Sequence, residues 1–303
     1  MSDASDILAV TRAANASPDN TLPGDAGPLL WEEIRGIIEH AISTQPRSLQ
    51  TRIGPSELGT DCVHCLAAKL AAWPRQARIV AWLPYIGTAV HRQFETLFTR
   101  LETEGADRWK TEYPVSVGRL NGLTGGYEVS GSIDLWDRVT HATVDWKITG
   151  RSTRTLAKTH GPSQQYRVQA SLYGIGLANQ GEQVERSCIY FLPRDSITLA
   201  DAIPWETRFD PEPGKWALAR AQLLVNLLDV IETQYGVGTR DEWIRRLPKS
   251  ESHCFDCGTW GDDSSLAMEL HDADDPPLPD RLTTMMSLIE PTYNPTKHNG
   301  KEQ

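Results

Sequence analysis

Cys62-x-x-Cys65 and Cys254-x-x-Cys257 stand near opposite ends of the chain's patterned body, and they restrict its fold more than any other feature. Two residues between thiols is the spacing of a metal-binding turn. Matched pairs that bracket one long segment predict four thiolates converging on one centre, so the two ends of that segment must return to each other in space. Five cysteines in 303 residues do not make a disulfide scaffold, and in a reducing compartment paired short spacings point to metal or redox chemistry. The fifth, Cys188, lies in the apolar run SCIYFL and is expected in a core. Spacing alone favours structural Zn²⁺.

The chain contains no apolar run of membrane-spanning length, and its first residues lack the basic start and apolar stretch of a signal peptide. A cytoplasmic protein without membrane association is expected. Residues 1–28, rich in Ala, Asp, Ser, Pro and Gly, are expected to be a disordered lead. Residues 29–262 are expected to form one domain, and residues 263–303 an acidic, proline-containing tail. Apolar stripes at helical spacing predict helices over 30–42, 87–105, 163–178, 213–231 and 280–289; alternating or apolar runs predict strands over 113–117, 127–139, 142–148 and 187–192. That order is mixed α/β.

Residues 126–149 alternate apolar and polar on both sides of Thr140-His141, the pattern of a hairpin with one buried face. Side chains two apart on a strand share a face, so Asp145 and Lys147 point one way and Val144, Trp146 and Ile148 the other; Asp134 on the partner strand can come alongside the first set. Two carboxylates and an ammonium on one patch suit metal-assisted hydrolysis of a phosphodiester, with oxygen ligands for Mg²⁺ or Mn²⁺ and a cation for the water or phosphate. A surface salt bridge on a hairpin would look the same. The formal charge of −10 argues against broad nucleic-acid coating. Locally, however, residues 146–180 contain no Asp or Glu while carrying Lys147, Arg151, Arg154, Lys158 and Arg167, a stretch suited to a polyanion.

The ordered set Gly87-x-x-x-His91, Gly131-x-x-Asp134, Asp145-x-Lys147 and Gln169-x-x-x-Tyr173 resembles the PD-(D/E)XK nuclease superfamily in its RecB-like branch. The resemblance implies a restriction-endonuclease-like core, a mixed central sheet flanked by helices. It implies that His91, Asp134 and Asp145 ligate Mg²⁺ or Mn²⁺ with the Trp146 carbonyl as a further ligand, that Lys147 orients water and stabilises developing charge, and that Gln169 and Tyr173 position the nucleic-acid backbone. Closure by cysteines on either side of the core resembles the iron-sulfur exonucleases of CRISPR adaptation and their bacteriophage relatives, and implies a [4Fe-4S] cluster remote from catalysis. This chain departs from the commonest arrangement there, one early cysteine and three late; its two-plus-two division is equally that of a Zn²⁺ site.

The implied function is a divalent-metal-dependent DNA exonuclease on single-stranded or end-exposed DNA, in recombination, repair, phage replication or spacer acquisition. DNA would follow the basic stretch Arg151, Arg154, Lys158 and Arg167, and recombination or CRISPR-adaptation proteins would be its protein partners. The competing readings are an inactive, nuclease-like DNA-binding or assembly subunit and a structure-specific endonuclease.

Overall fold

The structure, a computed structural model, describes residues 30–44, 52–76, 82–123, 125–251, 254, 256–261 and 278–298. The expected disordered lead, residues 1–28, lies outside them. The chain divides into two compact units, residues 1–51 with 78–86 and residues 52–77 with 87–303. Helix α1 (Leu30–Ser43) forms where its apolar stripe predicts, but it belongs to the first unit and not to the domain expected to begin at residue 29. No helix among the described residues is long and apolar enough to cross a membrane.

The second unit is built on a five-stranded sheet in the order β1 (Trp109–Gly122), β2 (Gly125–Asp137), β3 (Ala142–Thr149), β4 (Arg186–Pro193), β5 (Ile203–Arg208). All neighbours are antiparallel except β3 and β4. A parallel pair needs a crossover, and α5 (Arg151–His160) with α6 (Gln164–Asn179) supplies it. Helix α6 starts where Ser163 Oγ accepts from the Tyr166 N–H at 3.4 Å. It is buried nearly all round at Val168, Ala170, Leu172, Tyr173 and Leu177, as suits a helix between the sheet and α7 (Glu212–Arg245). The short helices α2 (Pro55–Leu58) and α3 (Val63–Leu70) and the strand β5 were not expected: one or two helical turns show no stripe, and Pro204 inside β5 weakens its strand pattern.

Two differences from expectation bear on the site's surroundings. Helix α4 (Trp82–Thr103) begins five residues before Gly87, which therefore sits inside the helix and not at its start. The long α7 continues past 231 through a break at Gly236, whose φ of 85° lies in the left-handed region that glycine adopts without strain, and its second part delivers Trp243 and Ile244 to the core.

The segment expected as a tail from 263 is packed over much of its described length. Leu282 is fully buried and Ile289 nearly so, around α8 (Asp280–Met286). Trp243 Nε1–H donates to the Leu282 carbonyl at 2.8 Å, and the buried Arg220 guanidinium donates to the carbonyls of Pro291 at 3.0 Å and Thr60 at 2.7 Å. Burial holds the Arg220 pKa down to about 10 against the pull of the Asp61 charge, while carbonyl oxygens accept from its N–H groups. The acidic and proline-rich composition hid three apolar anchors, Leu278, Leu282 and Ile289. A last short helix, α9 (Pro295–His298), follows.

Candidate functional site

The β2/β3 ladder has three residue pairs, ending at Leu135↔Val144. Beyond that pair the strands part, and Asp134 takes over the pairing with its side chain: Oδ2 accepts the Trp146 N–H at 2.8 Å. Its other oxygen lies 3.3 Å from His91 Nδ1, and His91 Nε2 lies 3.0 Å from the Trp146 carbonyl. His91 thus spans a side chain of β2 and the backbone of β3. The opposite face of β3 holds it there, because the Trp146 ring packs against Phe94 and Phe98 of α4 and Tyr190 of β4, with centroids 5.3, 6.2 and 5.5 Å apart.

On the face shared with Lys147, Asp145 is 4% exposed. Lys147 Nζ is 2.7 Å from its Oδ2, and Gln169 Nε2 donates to its Oδ1 at 3.1 Å. The same amide donates to Tyr173 OH at 3.0 Å, while its oxygen accepts from Lys147 at 2.9 Å. Both ends of Gln169 are therefore used, and only this orientation turns N–H groups toward the carboxylate. Lys147 also lies 4.8 Å from the Tyr166 ring centroid. Tyr173 reaches β2 because Gly131 has no side chain: a Cβ there would come within 2.9 Å of Pro55 and 3.3 Å of the Tyr173 ring.

Burial pushes Asp145 up to about 6 against the pull of Lys147, with the Asp134 charge adding to the rise. Burial works against charge on His91, yet the hydrogen bond and charge of Asp134 outweigh it and raise its pKa. A residue without any motif joins this site. Ligating atoms of His91, Glu112 and Asp134 all lie within 4.8 Å of one another. This tight group has Glu112 where sequence reasoning placed Asp145, whose oxygens face Lys147 and Gln169. Glu112 sits across from Asp134 between the pairs Thr111↔Leu135 and Tyr113↔Ile133, at a φ of 43° that side chains other than glycine seldom adopt. Burial raises its pKa, with Asp134 and Glu95 contributing. The expected strand began one residue later, at Tyr113, so Glu112 escaped notice; an acid immediately before an apolar strand was the available signal.

The basic stretch is divided. Arg151, Lys158 and Arg167 are exposed. Arg154, expected along a DNA path, is instead buried: it donates to the Thr149 carbonyl at 2.7 Å and pairs with Asp195 at 2.6 Å. On α5 it falls on the inward face beside Ala157, and a guanidinium there is tied to the fold.

All four paired cysteines converge, and Cys188 stands apart in the core. Cys62 Sγ lies 3.4 Å from Cys257 Sγ, and Cys65 Sγ lies 3.6 Å from Cys254 and 3.5 Å from Cys257, all as free thiols. Cys62 caps α3 and Cys65 lies in its first turn; Cys257 opens a 3₁₀ turn whose next segment bridges Arg75 to Trp260. A hydrogen bond from Cys65 holds the Cys62 thiol far down, at about 3, and drives Cys65 upward; burial pushes Cys257 up to about 12. Sulfurs this close cannot all ionise unless a cation lies among them, so the donor set fits a thiophilic metal centre.

No family model and no curated protein matches the chain. Among solved structures, the crystal structure of SSO0001 is similar at a TM-score of 0.39 and 15% identity, over 65% of this chain and 82% of that one.

Proposed function

We propose that the chain is a divalent-metal-dependent deoxyribonuclease of the RecB-like PD-(D/E)XK type, an exonuclease on single-stranded or end-exposed DNA. One observation carries the reading. Four short patterns spread from residue 87 to residue 173 meet in one hydrogen-bonded assembly across α4, the β2/β3 hairpin and α6.

His91, Glu112, Asp134 and the Trp146 carbonyl would hold the cation, and an imidazole among carboxylates favours Mn²⁺ over Mg²⁺. When bound, the cation supplies Lewis acidity and lowers the pKa of water. Lys147 neutralises charge that develops on the scissile phosphate. Asp145 and Gln169 fix the position of that ammonium, and Gln169 also orients Tyr173 toward the substrate backbone. Arg151, Lys158 and Arg167 continue the path as exposed phosphate contacts, without Arg154.

Purified protein with Mn²⁺ is expected to shorten end-labelled single-stranded DNA. Asp145→Ala, or excess EDTA, is expected to abolish that reaction while circular dichroism stays native. Full activity in excess EDTA removes the metal mechanism, full activity of Asp145→Ala removes its role in holding Lys147, and DNA binding without cleavage by the native chain would make it a nuclease-like binding subunit. Glu112→Gln is expected to weaken Mn²⁺ binding at least about ten-fold, the least that loss of even an outer partner of a metal site costs. Calorimetric titration without DNA reads this directly, and an unchanged affinity would leave Glu112 outside the ligand set.

A further inference from the structure

We infer that the four-cysteine centre binds a single tetrahedral Zn²⁺ ion and not the [4Fe-4S] cluster that the family resemblance implies. The sulfur spacing decides between them. Zinc–thiolate bonds of about 2.3 Å place tetrahedrally arranged sulfurs about 3.8 Å apart. The short separations here are 3.4, 3.5 and 3.6 Å, and all four sulfurs fall within 4.8 Å of one another. The zinc spacing of about 3.8 Å falls between these short separations and that outer limit, so the four sulfurs surround a space the size of one ion.

A four-iron cluster needs a different cage. Each thiolate sits on its own iron, with inorganic sulfide between the irons, so any two cysteine sulfurs stand apart by an iron–iron edge plus two outward-pointing bonds. Sulfurs that all lie within 4.8 Å of one another enclose one ion and no cube.

The surroundings agree with a compact, doubly negative zinc–tetrathiolate group. The backbone amides of Cys65 and Ser250 help to hold the Cys62 thiol in its charged form. His64 is buried with Nδ1 3.9 Å from Cys65 Sγ and 4.0 Å from Cys257 Sγ, its ring held edge-on to Trp73 at 5.9 Å. As an N–H donor to two ligands it offsets their charge without displacing a thiolate. Each Cys-x-x-Cys pair contributes from its own short turn, at the start of α3 and at the 3₁₀ turn after α7. Zinc has no redox chemistry, so the centre is a static clamp indifferent to air.

This inference stands apart from the nuclease reading, because metal content decides it and no cleavage assay enters. The full chain, purified in parallel with and without oxygen, is expected to be colourless and to carry one zinc per chain by elemental analysis. Exchange of that zinc for Co²⁺ should produce the visible bands of tetrahedral cobalt–thiolate. A brown anaerobic preparation with iron and acid-labile sulfide in equal amounts overturns the inference. So does folded protein carrying neither metal.

Discussion

Lys147→Ala is expected to lower turnover on single-stranded DNA by about 10²–10³-fold, the usual cost of removing one group aimed at transition-state charge. Affinity for the same DNA, measured with Ca²⁺ in place of Mn²⁺, should stay within a factor of a few. The split follows from where the ammonium is held. Lys147 contacts Asp145 at 2.7 Å and Gln169 at 2.9 Å and lies over the Tyr166 ring, so it is positioned before substrate arrives. In the ground state it is one of several cations near the phosphates, alongside Arg151, Lys158 and Arg167, and its loss is shared among them. In the transition state it faces charge that exposed residues do not reach, in a site where burial strengthens each electrostatic contact. Rate constants from single-turnover cleavage, set beside affinities in Ca²⁺, separate the two effects. Equal losses in both would make Lys147 a binding residue.

Cys65→Ser should cost stability before it costs chemistry. A structural metal centre contributes about 10–16 kcal/mol of apparent binding energy in small zinc domains. Here the apo unit keeps a large core of its own, including Leu58, Leu66, Val168, Leu172, Leu224 and Trp243, so only part of that energy appears as lost stability. A loss of about 5 kcal/mol corresponds to a fall in melting temperature of about 10–20 °C for a unit of this size. The reason is topological: the centre ties the start of α3 to the segment after α7, closing a loop that contains the entire sheet. Scanning calorimetry should show the fall, and turnover per folded molecule at low temperature should remain near the native value. Reduced turnover with an unchanged melting temperature would move the centre into the reaction. An unchanged melting temperature together with unchanged metal content would remove Cys65 from the ligand set.

Local periodicity carried much of this protein, because some relations depend only on how far apart two residues stand in one element. A period of two puts Asp145 and Lys147 on one face of β3 and Trp146 on the other, and one helical turn puts Gln169 beside Tyr173. The hairpin turn and the two Cys-x-x-Cys spacings are local in the same sense. Contacts set by tertiary packing were not legible. Glu112 meets His91 and Asp134 because the β1/β2 register sets it across from Asp134, at a left-handed backbone position. Arg154 looked like a surface base, but the inward face of α5 buries it, with the Thr149 carbonyl and Asp195 from beyond β4 as its partners. Residues around Leu282 read as a tail until Trp243 and Arg220 supplied the surface they cover. Sequence by itself determined which side chains within an element point together; the tertiary structure alone decided what stands opposite, since that depends on residues distant in the chain and on the burial their packing creates.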